Sequence, residues 1–363
     1  MRMCDFGLGA IDSPSDLRDY RLSDLVTCAD DVDIPKNFRL EDYVPNSTRQ
    51  TANSCVAHSI SKIKRYYKQR DFSVGFIYGY RKESDHQGEG LILRQACANI
   101  CEIGDCYKET FPYDIEYPEI KNKLNEVGLD KLINEASNDK ALSYIRLDKS
   151  EIKEFMYKYN TPVMIKCKVY KNFYESKTNG GYIPKFGSGE YKGNHAMVVF
   201  EWKDNVLSLD NHWDNTGDNG VYYIDVDSPL ITEAWAIIDI KIEKPKSYWE
   251  KHETPGGTKW KYIKDGKYVT NDWLNIGNDW FRFDSYGVAL QNQWYKDNNN
   301  GDWYYFNENC YMVIGWQLIN GDYYYFNNNH DGYYGRMLCN EWSPDGYWLT
   351  ESGKWNWKEK HVK

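Results

Sequence analysis

Apolar and polar positions follow three patterns along this chain. From Val56-Ala57-His58-Ser59-Ile60 through Tyr67 the spacing predicts a helix, with Cys55 at its start. His195-Ala196-Met197-Val198-Val199-Phe200 reads as a strand. A turn at Lys203-Asp204-Asn205 and a second strand from Val206 to Leu209 follow, and Asn211 stands just beyond. A hairpin of that length returns Asn211 to the side of His195. After residue 256 aromatic and polar residues alternate about Asn/Gly/Asp turns such as Asp297-Asn298-Asn299-Asn300-Gly301-Asp302, which is a β-hairpin signature.

The hairpin pattern repeats. Trp273 precedes Trp280-Phe281-Arg282-Phe283, Trp294 precedes Trp303-Tyr304-Tyr305-Phe306, and Trp316 precedes Tyr323-Tyr324-Tyr325-Phe326. A degenerate unit follows around Trp342 and Tyr347-Trp348, so the leading Trp recurs at 21, 22 and 26 residues. One such hairpin cannot bury its own apolar face, so neighbours must stack. Three segments are expected: residues 1-243, a linker at 244-256 carrying Lys-Pro-Lys and Thr-Pro-Gly-Gly, and a repeat domain at 257-363.

Candidate chemistry sits in the first segment. Cys55 is followed 140 residues later by His195 and 16 residues after that by Asn211. A cysteine needs a base to become a thiolate, and the base needs an orienting partner. Taken singly, Cys55 reads as a small core residue, His195 as a core histidine and Asn211 as the start of a turn. Jointly they read as nucleophile, base and orienter. The helix start adds a dipole that favours the thiolate.

That order and spacing resemble the papain-like cysteine peptidases, from about Ile34 to Ile240. Asn211-His212-Trp213 through Tyr222 is similar to the family's Asn-Ser-Trp-Gly segment. The resemblance implies an α+β papain-like catalytic domain with Cys55 as nucleophile, His195 as base and acid, and Asn211 orienting His195. It implies Gln50 as oxyanion donor and a substrate cleft lined by Gly88, Gly90 and Ala196, with Trp213 shielding the Asn211–His195 hydrogen bond. There are departures. Only Ser54-Cys55 survives of the family's cysteine signature, Ala52 replaces its disulfide cysteine, and Gln50 lies five rather than six residues before the nucleophile. The compact Cys/His amidase and peptidase domains of cell-wall lysins keep their catalytic pair about half as far apart. The roughly 33 residues before Ile34-Pro35 are expected to belong to the folded domain rather than to act as an autoinhibitor.

The repeats resemble the choline-binding repeats of Gram-positive surface proteins and phage lysins. The resemblance implies an all-β C-terminal solenoid of stacked hairpins whose rings cage a quaternary ammonium. One cage is expected from Trp273, Trp280 and Trp294 and the next from Trp294, Trp303 and Trp316, with the Tyr323 unit weakened by loss of its second Trp. Related repeats in clostridial toxins, poorer in Trp, bind glycans.

Composition narrows the classes. Aromatics reach 16%, with 32 Tyr and 14 Trp, and concentrate in the repeats. The net charge of −9 argues against nucleic acid as the main partner. No run of apolar residues is long enough for a membrane helix, and Met1 to Gly7 lacks a secretory core. Nine cysteines without a tight framework read as free thiols, with no metal or other cofactor expected. The sequence therefore predicts an endolysin-like wall peptidase, made in the cytoplasm and acting at the wall after release. Its substrate would be peptidoglycan peptide and its wall ligand choline on teichoic acid, with a homodimer through the repeats as an option. The alternatives are a surface-attached cysteine protease acting on proteins and a non-catalytic adhesin.

Overall fold

The computed structural model describes residues 7–14, 16, 19, 21–22, 33–239, 247–277, 279–329 and 331–360. The chain divides into two compact units. The first comprises Asp19–Glu243 with the residues up to Ser15, and the second is built of Lys244–Lys363.

In the first unit, β1 (Ala10–Ile11) and β2 (Asn37–Arg39) precede α1 (Cys55–Lys68) and α2 (Val74–Gly79). Then come β3 (Leu91–Ile92), α3 (Leu93–Glu102), α4 (Tyr117–Val127), α5 (Leu129–Ala136), β4 (Ser143–Leu147) and α6 (Ile152–Tyr159). The remaining strands are β5 (Val163–Tyr170), β6 (Tyr191–Lys203), β7 (Val206–Asp210), β8 (Val221–Asp225) and β9 (Ile231–Ile238). They form a seven-stranded sheet in the order β4-β9-β5-β6-β7-β8, with β2 added along β6. Every pairing in it is antiparallel.

Two burial patterns explain how the site is built. In α1 the ten residues from Cys55 to Lys64 are all buried, so this helix is enclosed rather than amphipathic. It packs on β5 and β6, whose central residues are buried without alternation, as in a sheet covered on both faces. The β6–β7 hairpin sets Val198 opposite Asp210, which brings the chain just after β7 alongside His195. Among the described residues no helix is long and apolar enough to cross a membrane, and Cys55, Cys97, Cys101, Cys106, Cys167 and Cys339 are free thiols.

The second unit is a series of small antiparallel sheets. A three-stranded sheet of β10 (Tyr248–Thr254), β11 (Gly257–Lys264) and β12 (Lys267–Tyr268) comes first. Three hairpins follow: β13–β14 (Trp273–Ile276, Asp279–Arg282), β15–β16 (Gln293–Lys296, Trp303–Phe306) and β17–β18 (Gly315–Ile319, Asp322–Phe326). A last sheet holds β19 (Glu341–Trp342), β20 (Tyr347–Leu349) and β21 (Trp355–Lys360). The expected solenoid is not seen as one continuous ladder. Main-chain bonds link one small sheet to the next, from Ala289 N–H to Trp260 O, Met312 N–H to Trp280 O and Met337 N–H to Trp303 O, while polar groups of the connections are spent locally: Asn307 Oδ1 accepts from the Asn309 and Tyr311 N–H groups, and Asn327 Oδ1 from Asn329.

Candidate active site

Cys55 is the first residue of α1. Its N-terminal neighbour Ser54 makes no helix cap, because its hydroxyl donates instead to Asp114 Oδ1 at 2.5 Å. Asp114 also accepts the Thr51 N–H at 2.8 Å and holds His58 Nε2 at 3.1 Å, so one carboxylate ties down both the turn before Cys55 and the first turn of α1. Burial pushes Asp114 up, but the bond to and charge of His58, with Ser54 and Thr51, outweigh it and hold the carboxyl at about 2. Because this value lies below the usual 3.9 or so of an unfolded Asp, the stabilisation is complete above about pH 4 and is lost as pH falls through 2. Asp114→Ala is therefore expected to cost about 2 kcal/mol at neutral pH, since it strands three donors. It should also flatten the acid limb of a plot of thermal midpoint against pH. An unchanged midpoint at pH 7 would remove Asp114 from this role.

The base and its orienter meet as a buried pair. Asn211 Oδ1 lies 2.7 Å from His195 Nε2 and also accepts the His212 N–H at 2.8 Å. An amide oxygen only accepts, so Nε2 carries the proton and Nδ1 keeps its lone pair. That Nδ1 is buried without a partner. The Trp213 ring stacks on the imidazole with centroids 4.5 Å apart and an interplanar angle of 28°. Trp213, expected to shield the Asn211–His195 bond, is fully buried, as is Ala196, expected in the cleft lining. Trp213 packs against the base, and the Ala196 main chain lies where it favours the Cys55 thiolate.

Residues 7–13 cross this site. Gln50 Nε2 donates to the Gly7 carbonyl at 2.9 Å as well as to Ala52 O at 2.6 Å. Leu8 N–H donates to Asn53 Oδ1 at 3.1 Å, and Leu91 N–H donates to Gly9 O at 2.7 Å. β1 then pairs in parallel with β3, and Asp12 ends beside Lys166 and Asn194. The Gly9 main chain passes where it favours the Cys55 thiolate. Residues 7–13 therefore pack against the rest of the first unit and pass over the nucleophile. Gly90, at φ +84°, faces this segment: a Cβ there would lie 2.6 Å from Gly9 O. Gly88 instead packs on the His86 ring, and its carbonyl accepts from Arg81.

Burial inverts the electrostatics expected from the helix dipole. Desolvation pushes the Cys55 thiol up to about 11, although main-chain N–H groups of Ala196, Gly9 and Val56 favour the thiolate. Desolvation takes His195 down to about 3 against the pull of Asn211, with His58, Lys62 and Lys177 adding to the lowering. Covered in this way, the two groups stand as neutral thiol and neutral imidazole.

No family model matches the sequence, and no curated protein does. Among solved structures, Xylellain, a cysteine protease from Xylella fastidiosa, superposes with a TM-score of 0.56 at 20% identity, over 66% of this chain and 99% of its own. The first unit has a papain-like fold. Procathepsin B from Trypanosoma congolense follows at 0.49 and 14% identity, over 64% of this chain and 85% of that one. The pneumococcal cell-wall endolysin from phage Cp-1, solved with choline, matches at 26% identity over 36% of this chain and 44% of its own. Its TM-score of 0.23 superposes too little to place any residue.

Outside the papain-like unit the rings group by strand alternation. In β16, Trp303 and Tyr305 face their own Trp294, whereas Tyr304 and Phe306 face Trp273 of the preceding hairpin. In β18, Tyr323 and Tyr325 face Trp316, and Tyr324 and Phe326 face Trp294. The first aromatic box is therefore Trp273, Trp280 and Tyr304, closed by Met312 and Tyr334 around about 550 Å³. Trp294 lines no part of it. The second groups Trp294, Trp303 and Tyr324, without Trp316. The third holds Trp316, Tyr323, Tyr347 and Trp355 around about 190 Å³, so Tyr323 takes the place of a second Trp. Tyr304 thus stands where Trp294 was expected in the first cage, while Trp294 and Trp303 of the second do meet, with Tyr324 beside Trp294, because the period of two sends successive rings of one strand to different neighbours. Carboxylates sit at two of the boxes, where Trp273 Nε1 donates to Asp297 and Trp316 Nε1 to Asp345, each at 2.9 Å.

Proposed function

We propose that this chain is a cysteine peptidase that cuts peptide bonds of peptidoglycan and is held on choline-bearing teichoic acid by its C-terminal repeats. The observation that carries the peptidase reading is the buried His195–Asn211 pair, its Nδ1 lone pair unspent, on the strand against which the helix begun by Cys55 packs. Once residues 7–13 leave, Nδ1 takes the thiol proton and the sulfur attacks the scissile carbonyl. Gln50 Nε2, freed from Gly7, donates to the developing oxyanion. His195 then returns the proton to the leaving amine, and water hydrolyses the acyl-enzyme. Digestion of purified walls, with the new amine termini identified by mass spectrometry, tests the substrate. Release of no new termini would favour a protease acting on proteins.

The choline reading rests on the three groups of rings and on the carboxylates at two of them, which suit a quaternary ammonium. Each good contact is worth about 2 kcal/mol, so retention needs several boxes together. Trp294→Ala and Tyr304→Ala should each lose one box and weaken retention on a quaternary-ammonium resin to a similar, partial extent. Elution should follow added choline. Retention indifferent to choline, with binding to walls stripped of it, would make the ligand a glycan.

A further inference from the structure

The side of α1 that carries Cys55 also carries His58 and Lys62, at spacings of three and seven residues that put all three on one helical face. That face meets three consecutive residues at the end of β7. The His58 ring stacks on His212 with centroids 5.0 Å apart. Lys62 Nζ donates to Asp210 Oδ1 at 2.5 Å and to the main-chain oxygen of Asn211 at 2.6 Å. The Lys62 and Asp210 side chains are almost fully buried, at 5% and 1% exposed, so this contact is enclosed rather than a surface ion pair. Asp210 is anchored in turn, since its Oδ2 accepts the Tyr43 hydroxyl at 2.9 Å and the Asn46 N–H at 3.0 Å.

Asn211 is thereby held at three points of its main chain and side chain. Its N–H donates to Gly220 O at 3.0 Å, its amide oxygen takes His195 and the His212 N–H, and its carbonyl takes Lys62. Of these, the bond to Lys62 alone comes from the helix that bears the nucleophile. We propose that Lys62, with Asp210 as its counter-ion, is a positioning residue that fixes Asn211, and through it the His195 imidazole, relative to Cys55. The inference rests on the Cys55–His195–Asn211 reading above. A misplacement of the base by 1 Å is enough to reduce turnover by about 100-fold. A buried cation at this point is otherwise a poor choice, because desolvation works against its charge and Arg65 one turn on adds repulsion.

The test is a double-mutant cycle on the full chain, read with a peptide substrate. Lys62→Met combined with Asp210→Asn removes both charges and keeps an acceptor for Tyr43 and Asn46. It is expected to lower kcat by about 100-fold and to leave KM within about twofold, as for a lost transition-state geometry. Asp210→Asn alone, which keeps an amide oxygen for Lys62 but removes its counter-ion, should lower kcat by about tenfold or more. In an Asn211→Ala background both costs should nearly vanish, because the residue through which Lys62 acts is gone. A merely structural role would leave the costs undiminished in that background, and this result overturns the proposal, as does unchanged kcat in the folded variants. If the double variant does not fold, Asp210→Asn in the two backgrounds completes the same cycle. A wild-type chain that hydrolyses no peptide and whose Cys55→Ser form behaves identically would overturn the catalytic reading itself, and this proposal with it.

Discussion

Cys55→Ser is expected to lower hydrolysis of walls and peptides by about 10⁵-fold or more, the scale on which loss of a triad nucleophile is felt. A serine hydroxyl is far harder to deprotonate than a thiol, and nothing around residue 55 compensates. The neighbouring base is neutral, the first turn of α1 carries no acidic residue to assist, and the N–H groups of Ala196 and Val56 stabilise an anion only once it has formed. The exchange removes no contact on which the fold depends, since residue 55 remains small and enclosed. Thermal midpoint and retention on walls should therefore stay at wild-type values. The comparison is made by counting new amine termini released from purified walls by the two proteins at equal occupancy. Digestion by Cys55→Ser at a rate within tenfold of wild type would show that Cys55 is not the nucleophile.

What could be read from the chain alone was local. The Val56–Tyr67 run becomes α1, and the short apolar runs around Met197 and Leu207 become β6 and β7, because each pattern is set by neighbours in sequence. Lys62 was not legible. A lysine inside a helix reads as a solvent-facing residue, and its partner Asp210 is 148 residues away. Asp114 escaped for the same reason: it stands 60 residues from Ser54 and in no periodic segment. The repeat spacing showed that hairpins stack, but not which rings share a box. That depends on how the two faces of one strand are divided between adjacent hairpins, so Tyr304 closes a box that Trp294 was expected to close. Gly7 and Gly9 gave no signal at all, since two glycines near a terminus have many explanations until the surface they pass over is known.

Those glycines lead to the second large effect. Gly9→Ala is expected to raise the rate of peptide hydrolysis by the full-length protein. An ideal Cβ at Gly9 would sit 1.7 Å from the Asn53 carbonyl oxygen, and one at Gly7 would sit 2.3 Å from Ala52 O, so the segment follows its path only without side chains there. Three hydrogen bonds, to Gln50, Asn53 and Leu91, hold residues 7–9 across the site, ahead of the β1–β3 pairing and the Asp12–Lys166 contact that keep residues 10–13 in place. At about 1 kcal/mol each they keep the open form near 1% of molecules, so displacement should increase kcat/KM by roughly 100-fold. The pH dependence should move as well. Burial now sets the thiol at about 11 and the imidazole at about 3, which keeps both neutral across the physiological range. Readmitting water removes the largest contribution to each shift, lowering the thiol and raising the imidazole, so that a thiolate–imidazolium pair becomes accessible at lower pH. Alkylation of Cys55 by iodoacetamide should accordingly be faster in Gly9→Ala than in wild type, and its onset should shift to lower pH. Equal alkylation rates and coincident pH profiles would mean that residues 7–13 do not restrain the nucleophile.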